Sequence, residues 1–322
     1  MSNVGNTGSV FIVPDLGQPL TLGPNAILIR GNKEIVDTKY LYYYFKSHEG
    51  INQIESISSA TAQKKFNKTS FRNLQIPLPS LDTQKKIADA LDKADEIRRK
   101  RQEAIDKLDE LVQSVFLDMF GDPVKNEKNW KLKKFGEIGT LERGKSKHRP
   151  RNDEILLGGK YPLIQTGDVA NSGGYITEYT QTYSEIGLKQ SKLWDSGTLC
   201  ITIAANIAKT GILTFDACFP DSVVGFKPDE KQTNTEFIQV WLSFLQKILE
   251  ESAPESAQKN INLSILRDLD MIVPPIDKQN QFRSIYNMIF KEQDIMNNSD
   301  NDKNNLFNSL MQKAFMGELE FK

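Results

Sequence analysis

Two long stretches of the chain place apolar residues in alternating steps of four and three. In the first, positions 87, 91, 94, 98, 101, 105, 108, 112, 115 and 119 are apolar apart from Arg98 and Arg101. That spacing lines one stripe of a helix, and a stripe kept this long predicts a coiled-coil seam, with Leu91, Leu108 and Val112 among its contacts. Asp82, just behind Pro79, is placed to cap the helix, and Gly121, Asp122 and Pro123 are placed to stop it after Phe120. Adding 195 to each position gives the same frame in the second stretch, where Phe282, Tyr286, Ile289, Met296, Phe307, Leu310 and Ala314 are apolar. The run NNSDNDKNN from Asn297 to Asn305 is poor helix material, because short polar side chains compete for the backbone, so a fray or kink is expected there. A seam of roughly 38 residues at 1.5 Å each spans about 57 Å, enough to hold two globules apart.

The offset of 195 reflects an internal repeat. The segment from Ala62 (AQKKFNKTSFRNLQIPLPSLDTQKKI) aligns without a gap on the segment from Ala257 (AQKNINLSILRDLDMIVPPIDKQNQF). Ala62, Gln63, Lys64, Asn67, Arg72, Leu74, Pro79, Asp82 and Gln84 recur as Ala257, Gln258, Lys259, Asn262, Arg267, Leu269, Pro274, Asp277 and Gln279. The same offset carries Phe120 onto Phe315, and a nearby one carries DTKYLYYYF at Asp37 onto NTEFIQVWL at Asn234. Each copy therefore reads as a β-rich and helical globule, an extended apolar strand ending in proline, and a long helix. The predicted boundaries are 1–81 for the first globule, 82–121 for its helix, 122–276 for the second globule and 277–322 for the last helix.

The copies are unequal. The second globule begins near Trp130 with WKLKKFGEIGTLERGK and runs about 145 residues to Pro275, whereas the first has about 80. Matching TGSVFIVPD at Thr7 to TGILTFDA at Thr210 leaves the first globule without a counterpart of residues 130–203. Met1-Ser2 reads as a natural start, which favours a truncated gene over a missing half supplied by another polypeptide.

Globules alternating with long helices, the PLP-x-x-x-x-Q segment from Pro77 to Gln84 with its partner VPPIDKQ, and FGDP after the first helix resemble type I restriction-modification specificity subunits. The resemblance covers nearly the whole chain and rests on the ordered repeat rather than on one motif. It implies an α+β fold: two target-recognition domains, the first one shortened, separated by two long antiparallel coiled-coil helices. It also implies double-stranded DNA as a ligand, with each globule facing one half of a split site, and methyltransferase and restriction subunits as partners docked through the helices. Unlike globules would read unlike half-sites, in inverted orientation about a pseudo-two-fold.

Composition adds little at the level of the whole chain. With 322 residues, 39% hydrophobic and 26% charged, two domains fit better than one core, and a net charge of -1 does not point to a polyanion. Cys200 and Cys218 lack pairing or metal-ligand spacing and only two histidines are present, so the expectation is a reducing cytoplasm and no metal. No secretory leader or run of about 18 apolar residues appears, so no membrane span is expected.

Local charge is more informative. Between Lys125 and Arg151 ten basic residues meet three acidic ones. Such clusters neutralise phosphates and release counterions, although surfaces also carry lysines for solubility alone. Within the cluster, RGKSKHRPR offers Arg143, Lys145, Lys147, Arg149 and Arg151, with arginine able to pair with guanine and lysine with phosphate. The repeated polar turns TAQKKFN and SAQKNIN add Gln63, Lys64, Gln258, Lys259 and Asn260, either as adenine and phosphate contacts or as strand caps. YPLIQTGDVANSGGYI, read as a strand and a glycine turn, places Gln165, Thr166, Asp168 and Asn171 near a tip.

No catalytic set is evident. Gly144-Lys145-Ser146 lacks the spaced glycine of a phosphate loop, no methylation tetrad or translocation motif is present, and Asp221 with Glu230 has the wrong spacing before Lys231 for a metal-dependent nuclease. The expectation is a non-catalytic specificity subunit without a small-molecule cofactor. The competing reading is a coiled-coil protein-interaction adaptor that ignores DNA.

Overall fold

The computed structural model describes residues 1–59, 64–204, 207–252 and 261–319. The chain divides into two units, Met1–Ile105 with Asp294–Lys322, and Asp106–Gln293, so each unit holds part of both long helices.

Unit 1 contains α1 (Thr38–Lys46), α2 (His48–Ile57), α3 (Lys68–Arg72) and the first part of α4 (Leu81–Phe120). Its core joins Tyr40, Tyr44, Phe45, Ile87 and Leu91 to Phe307, Met311 and Phe315 from the end of the last helix.

Unit 2 contains, in chain order, β1 (Leu132–Lys134), β2 (Gly139–Arg143), β3 (Leu157–Leu163), α5 (Thr166–Ala170), β4 (Tyr175–Ile176), β5 (Gln181–Tyr183), α6 (Glu185–Lys189), β6 (Leu193–Trp194), β7 (Leu199–Thr202), β8 (Thr210–Leu213), β9 (Ala217–Cys218), β10 (Val223–Pro228), α7 (Thr235–Ser252), α8 (Leu263–Arg267), β11 (Asp270–Ile272) and the start of α9 (Ile276–Met316). The main sheet has the order β2-β10-β7-β8-β4, the second β5-β3-β9-β6, and β1 pairs with β11. Trp194 stacks on Phe219 at 4.8 Å in the core that also holds Cys200. Both cysteine thiols are free and buried, and burial pushes their pKa values up.

The long helices run antiparallel, as the resemblance implies. In unit 1 the Arg98 guanidinium lies over the Phe307 ring at 5.2 Å. In unit 2, Gln293 donates to Asp109 at 2.7 Å, and Phe282 meets Phe116 and Phe120 at 5.4 and 5.7 Å. Positions climb along one helix as they fall along the other. Arg98 and Gln293 are matching seam positions, and both are paired: Arg98 stacks on the aromatic face and donates to Asp95 at 2.8 Å within its own helix, whereas Gln293 donates across to the other helix. Leu91, Ile289 and Phe307 are buried, while Leu108, Val112 and Leu310 are half-buried. Leu310→Asp is expected to destabilise unit 1 by about 2 kcal/mol, because a carboxylate enters an apolar contact. Leu108→Asp should act likewise in unit 2, and the urea midpoints of the two variants check both.

The repeat becomes physical at Gln84 and Gln279, both fully buried. Gln84 Nε2 donates to the Ile35 and Pro79 carbonyls at 3.0 and 2.9 Å, and its Oε1 accepts from the Asp37 N–H at 2.9 Å. Gln279 Nε2 donates to the Gln232 and Pro274 carbonyls at 2.9 and 2.8 Å, and its Oε1 accepts from the Thr233 hydroxyl at 2.9 Å. Each glutamine thus ties the base of a long helix to the segment leading into α1 or α7. The other ends match as well: Phe315 packs on Tyr40 at 5.3 Å and Phe120 on Phe237 at 4.9 Å.

Four expectations need correction. Asp82 is not the cap of α4; the Ser80 hydroxyl accepts the Thr83 N–H at 3.2 Å, and Asp82 sits in the first turn paired with Lys86. α9 is continuous through Asn297–Asn305, held on both sides by buried seam residues, so the fray does not form. The first globule is not β-rich: among the described residues it has only the bridges Ser2–Ala26 and Val4–Lys65, because the strands that would pair with its apolar segments are absent. Its match to unit 2 is also shifted, since equivalent hydrogen bonds set Gly8 against Ala208, out of step with the pairing of Thr7 to Thr210.

Candidate nucleic-acid interface

The basic loop connects β2 to β3 in unit 2, and its backbone is anchored before any cation is considered. Gly144 donates to the Val223 carbonyl at 2.9 Å, and a Cβ there would lie 2.3 Å from the Phe219 carbonyl oxygen, so only glycine fits. Lys145 N–H donates to Phe219 at 3.1 Å, and the Ser191 hydroxyl donates to the Lys145 carbonyl at 2.8 Å. The Gln190 Oε1 accepts from both the Lys147 and His148 N–H groups, at 2.6 and 3.0 Å. These contacts hold the chain and leave the Arg143, Lys145 and Lys147 side chains exposed.

The next two arginines are partly engaged. Arg149 Nη1 donates to the Ser146 and His148 carbonyls at 2.6 and 2.8 Å. Arg151 Nη2 meets Asp221 at 2.6 Å, and Arg149 Nη2 approaches the same carboxylate at 4.0 Å. His148 Nε2 lies 2.9 Å from Asp153, and that hydrogen bond, joined by one from the Ile155 N–H, holds the Asp153 carboxyl below the usual carboxylate range. Glu142 is lowered likewise by Lys192, whose ammonium also lies over the Trp194 ring at 3.8 Å. The pairs are exposed, so each contributes little to stability. What they do is position charge.

Asp221 and Gln190 are the residues that sequence reasoning missed in these roles. From sequence Asp221 registers only against a nuclease pattern, whose spacing it fails, and nothing in the local sequence marks Gln190 as the anchor of residues 43 and 42 positions earlier. Among the described residues no cluster of three or more His, Cys, Asp or Glu could hold a metal.

Gln165 and Thr166 stand elsewhere in unit 2, and the expected glycine turn directly after the strand is replaced by the short helix α5. Asp168 accepts the Gln165 N–H at 2.7 Å, which starts the helix, and Gln165 Nε2 donates to Gln181 at 3.1 Å. Both residues are half-buried. Lys64, in unit 1, is exposed and pairs with Glu55 at 3.3 Å. Gln63, Gln258, Lys259 and Asn260 lie outside the described residues. The ends of their turns are described: Asn67 and Asn262 cap α3 and α8 by accepting the Ser70 and Ile265 N–H groups at 2.8 and 2.9 Å.

Among the described residues no helix is long and apolar enough to cross a membrane. Residues 1–107 and 127–303 match the family model described as the type I restriction modification DNA specificity domain. The putative type I restriction enzyme MjaX specificity subunit of Methanocaldococcus jannaschii is 26% identical over 290 residues, covering 84% of this chain and 66% of that protein. The EcoBI specificity subunit of Escherichia coli is 24% identical, covering 98% of this chain and 73% of that one. This chain thus spans about two thirds of the length of the MjaX relative. The solved S subunit of a type I system from M. genitalium shares the fold with a TM-score of 0.57 at 16% identity, covering 90% of this chain and 75% of that one. A chain from a structural study of type I complex assembly and conformational transition gives 0.55 at 18%, covering 90% and 74%. With both copies of the repeat matched by one family model, the chain belongs to the type I restriction-modification DNA specificity domain family, as a specificity subunit.

Proposed function

We propose that this chain reads duplex DNA for a type I restriction-modification complex, with unit 2 as the reader, and carries out no chemistry itself. The observation that carries this reading is the loop from Arg143 to Arg151, in which the Arg143, Lys145 and Lys147 side chains are exposed on an anchored backbone. An anchored cationic loop loses little conformational freedom on meeting phosphates, so more of the electrostatic gain survives as affinity. Arg143 and Arg149 are the candidates for base edges, Lys145 and Lys147 for phosphates.

The long helices, α4 and α9, act as spacers that dock methyltransferase and restriction subunits in the cytoplasm. The second target-recognition domain, 122–276, reads one half of an asymmetric split site, and residues 1–81 form a partial first domain. No small-molecule cofactor is required, and calorimetry with S-adenosylmethionine should register no binding.

Gel-shift titration of the chain, alone and with its methyltransferase, tests the reading: binding should weaken steeply with salt. Indifference to DNA at low salt in both cases would leave the adaptor reading instead. Asp221→Asn gives a finer check. Removing the carboxylate shared by Arg149 and Arg151 should raise affinity about fivefold, equivalent to about 1 kcal/mol. A loss of affinity would show that the pair shapes the loop rather than masking it.

A further inference from the structure

Hydrogen bonds align the start of unit 1 with the middle of unit 2. Phe66 N–H donates to the Asn3 carbonyl at 3.2 Å, as Ile261 N–H donates to Ile203 at 3.1 Å. Gly8 donates to Ser2 at 2.9 Å as Ala208 donates to Thr202 at 2.8 Å, and Ser2 donates to Ser9 at 2.8 Å as Thr202 donates to Lys209 at 2.9 Å. Gly8 and Ala208 both adopt positive φ, +87° and +57°. Ser2 bridges Ala26 antiparallel, as Thr202 pairs with Val223. Residues 1–4 therefore stand where β7 ends, and residues 26–30 stand where β10 lies.

In unit 2 the outer edge of β10 is occupied by β2, with Phe226 opposite Leu141. Phe135, from the same front half, covers Phe226 at 4.7 Å, and Val223, Val224 and Phe226 are fully buried. In unit 1 the inner edge is paired: Ile27 N–H donates to Met1 at 2.8 Å and the Met1 amine donates back at 3.1 Å. Alternation turns the peptide groups of Leu28 and Arg30 to the outer edge, where they find no partner among the described residues. Around that edge Phe11, Leu20 and Leu28 are 67%, 55% and 49% exposed, over a groove of about 880 Å³. An open strand edge beside an apolar patch is an interaction surface in waiting.

We propose that this edge docks a polypeptide segment built like residues 130–200 of this chain and supplied from outside these 322 residues. It lays a short antiparallel strand along residues 27–30 and sets an aromatic side chain over Ile29, in the way β2 and Phe135 cover β10. Unit 2 supplies the precedent, because there the matching surface is covered by that front half. A second copy of this chain has no such strand to give, since its own β2 is already paired with β10.

The test follows amide hydrogen exchange in the full chain. One arm adds a synthetic peptide of residues 130–143; the other uses a version of the chain with residues 122–200 repeated directly ahead of Met1. The expected result is that exchange at Leu28 and Arg30 slows at least 100-fold in the extended chain, that the peptide slows it in proportion to its concentration, and that binding of an apolar dye falls. Unchanged exchange in both arms would overturn the proposal, as would protection in the unmodified chain accompanied by a dimeric mass in light scattering. The inference rests on the internal repeat and not on DNA reading, so a chain that gains this protection yet ignores DNA would refute only the proposed function.

Discussion

Replacing Arg143, Lys145, Lys147 and Arg149 together by neutral residues is expected to weaken duplex binding by about 4 kcal/mol, roughly a thousandfold, at about 1 kcal/mol per lost contact. The salt dependence should flatten at the same time, by about 0.9 in the logarithmic slope for each phosphate contact removed. The structure makes this a clean experiment, because the loop backbone does not depend on three of the four side chains. Gln190 holds the Lys147 and His148 N–H groups, and Ser191 holds the Lys145 carbonyl. Only Arg149 bonds its own loop, to the Ser146 and His148 carbonyls, so a triple variant retaining Arg149 separates lost charge from lost shape. Unchanged affinity in the quadruple variant, measured by fluorescence anisotropy over a salt series, would remove this loop from the interface.

The long helices were legible because a seam is a local signal: each apolar residue announces its place by its distance from the last. The chain-long repeat was legible for a similar reason, as matched strings of residues need no knowledge of contacts. What those matches meant was not. Gln84 and Gln279 stood out as a recurring pair, yet their partners are carbonyls 47 to 49 residues away at Ile35 and Gln232, and backbone acceptors have no sequence signature.

The first globule shows the opposite failure. Val10, Phe11, Ile12 and Val13 have strand-like composition, but strand is a property of two segments, and composition reports only one of them. With no neighbouring strand bonded to it among the described residues, that segment stays outside any strand and mostly exposed. Likewise, the basic loop could be picked out by counting lysines and arginines, whereas its restraint by Asp221, seventy residues later, appears only once β10 is brought beside β2.

Gln279→Ala should cost about 3 kcal/mol of stability, a large effect for a residue that touches no ligand. The side chain is fully buried, and its loss leaves the buried Pro274 carbonyl, the half-buried Gln232 carbonyl and the Thr233 hydroxyl without their partner. Each buried polar group stripped of its bond carries a penalty of about 1–3 kcal/mol, and the vacated volume adds to it. Gln279→Glu should be no better, since a carboxylate can still accept from Thr233 but cannot donate to either carbonyl, and it brings charge into a dry site. Gln84→Ala removes the same construction from unit 1, where the Asp37 N–H at the start of α1 loses its acceptor. Urea denaturation measures the cost, and hydrogen exchange assigns it: protection should fall in α7 for the change at 279 and in α1 for the change at 84. A loss below about 1 kcal/mol in both would mean that water replaces the amide without penalty, and that the two glutamines recur for some reason other than clamping helix to globule.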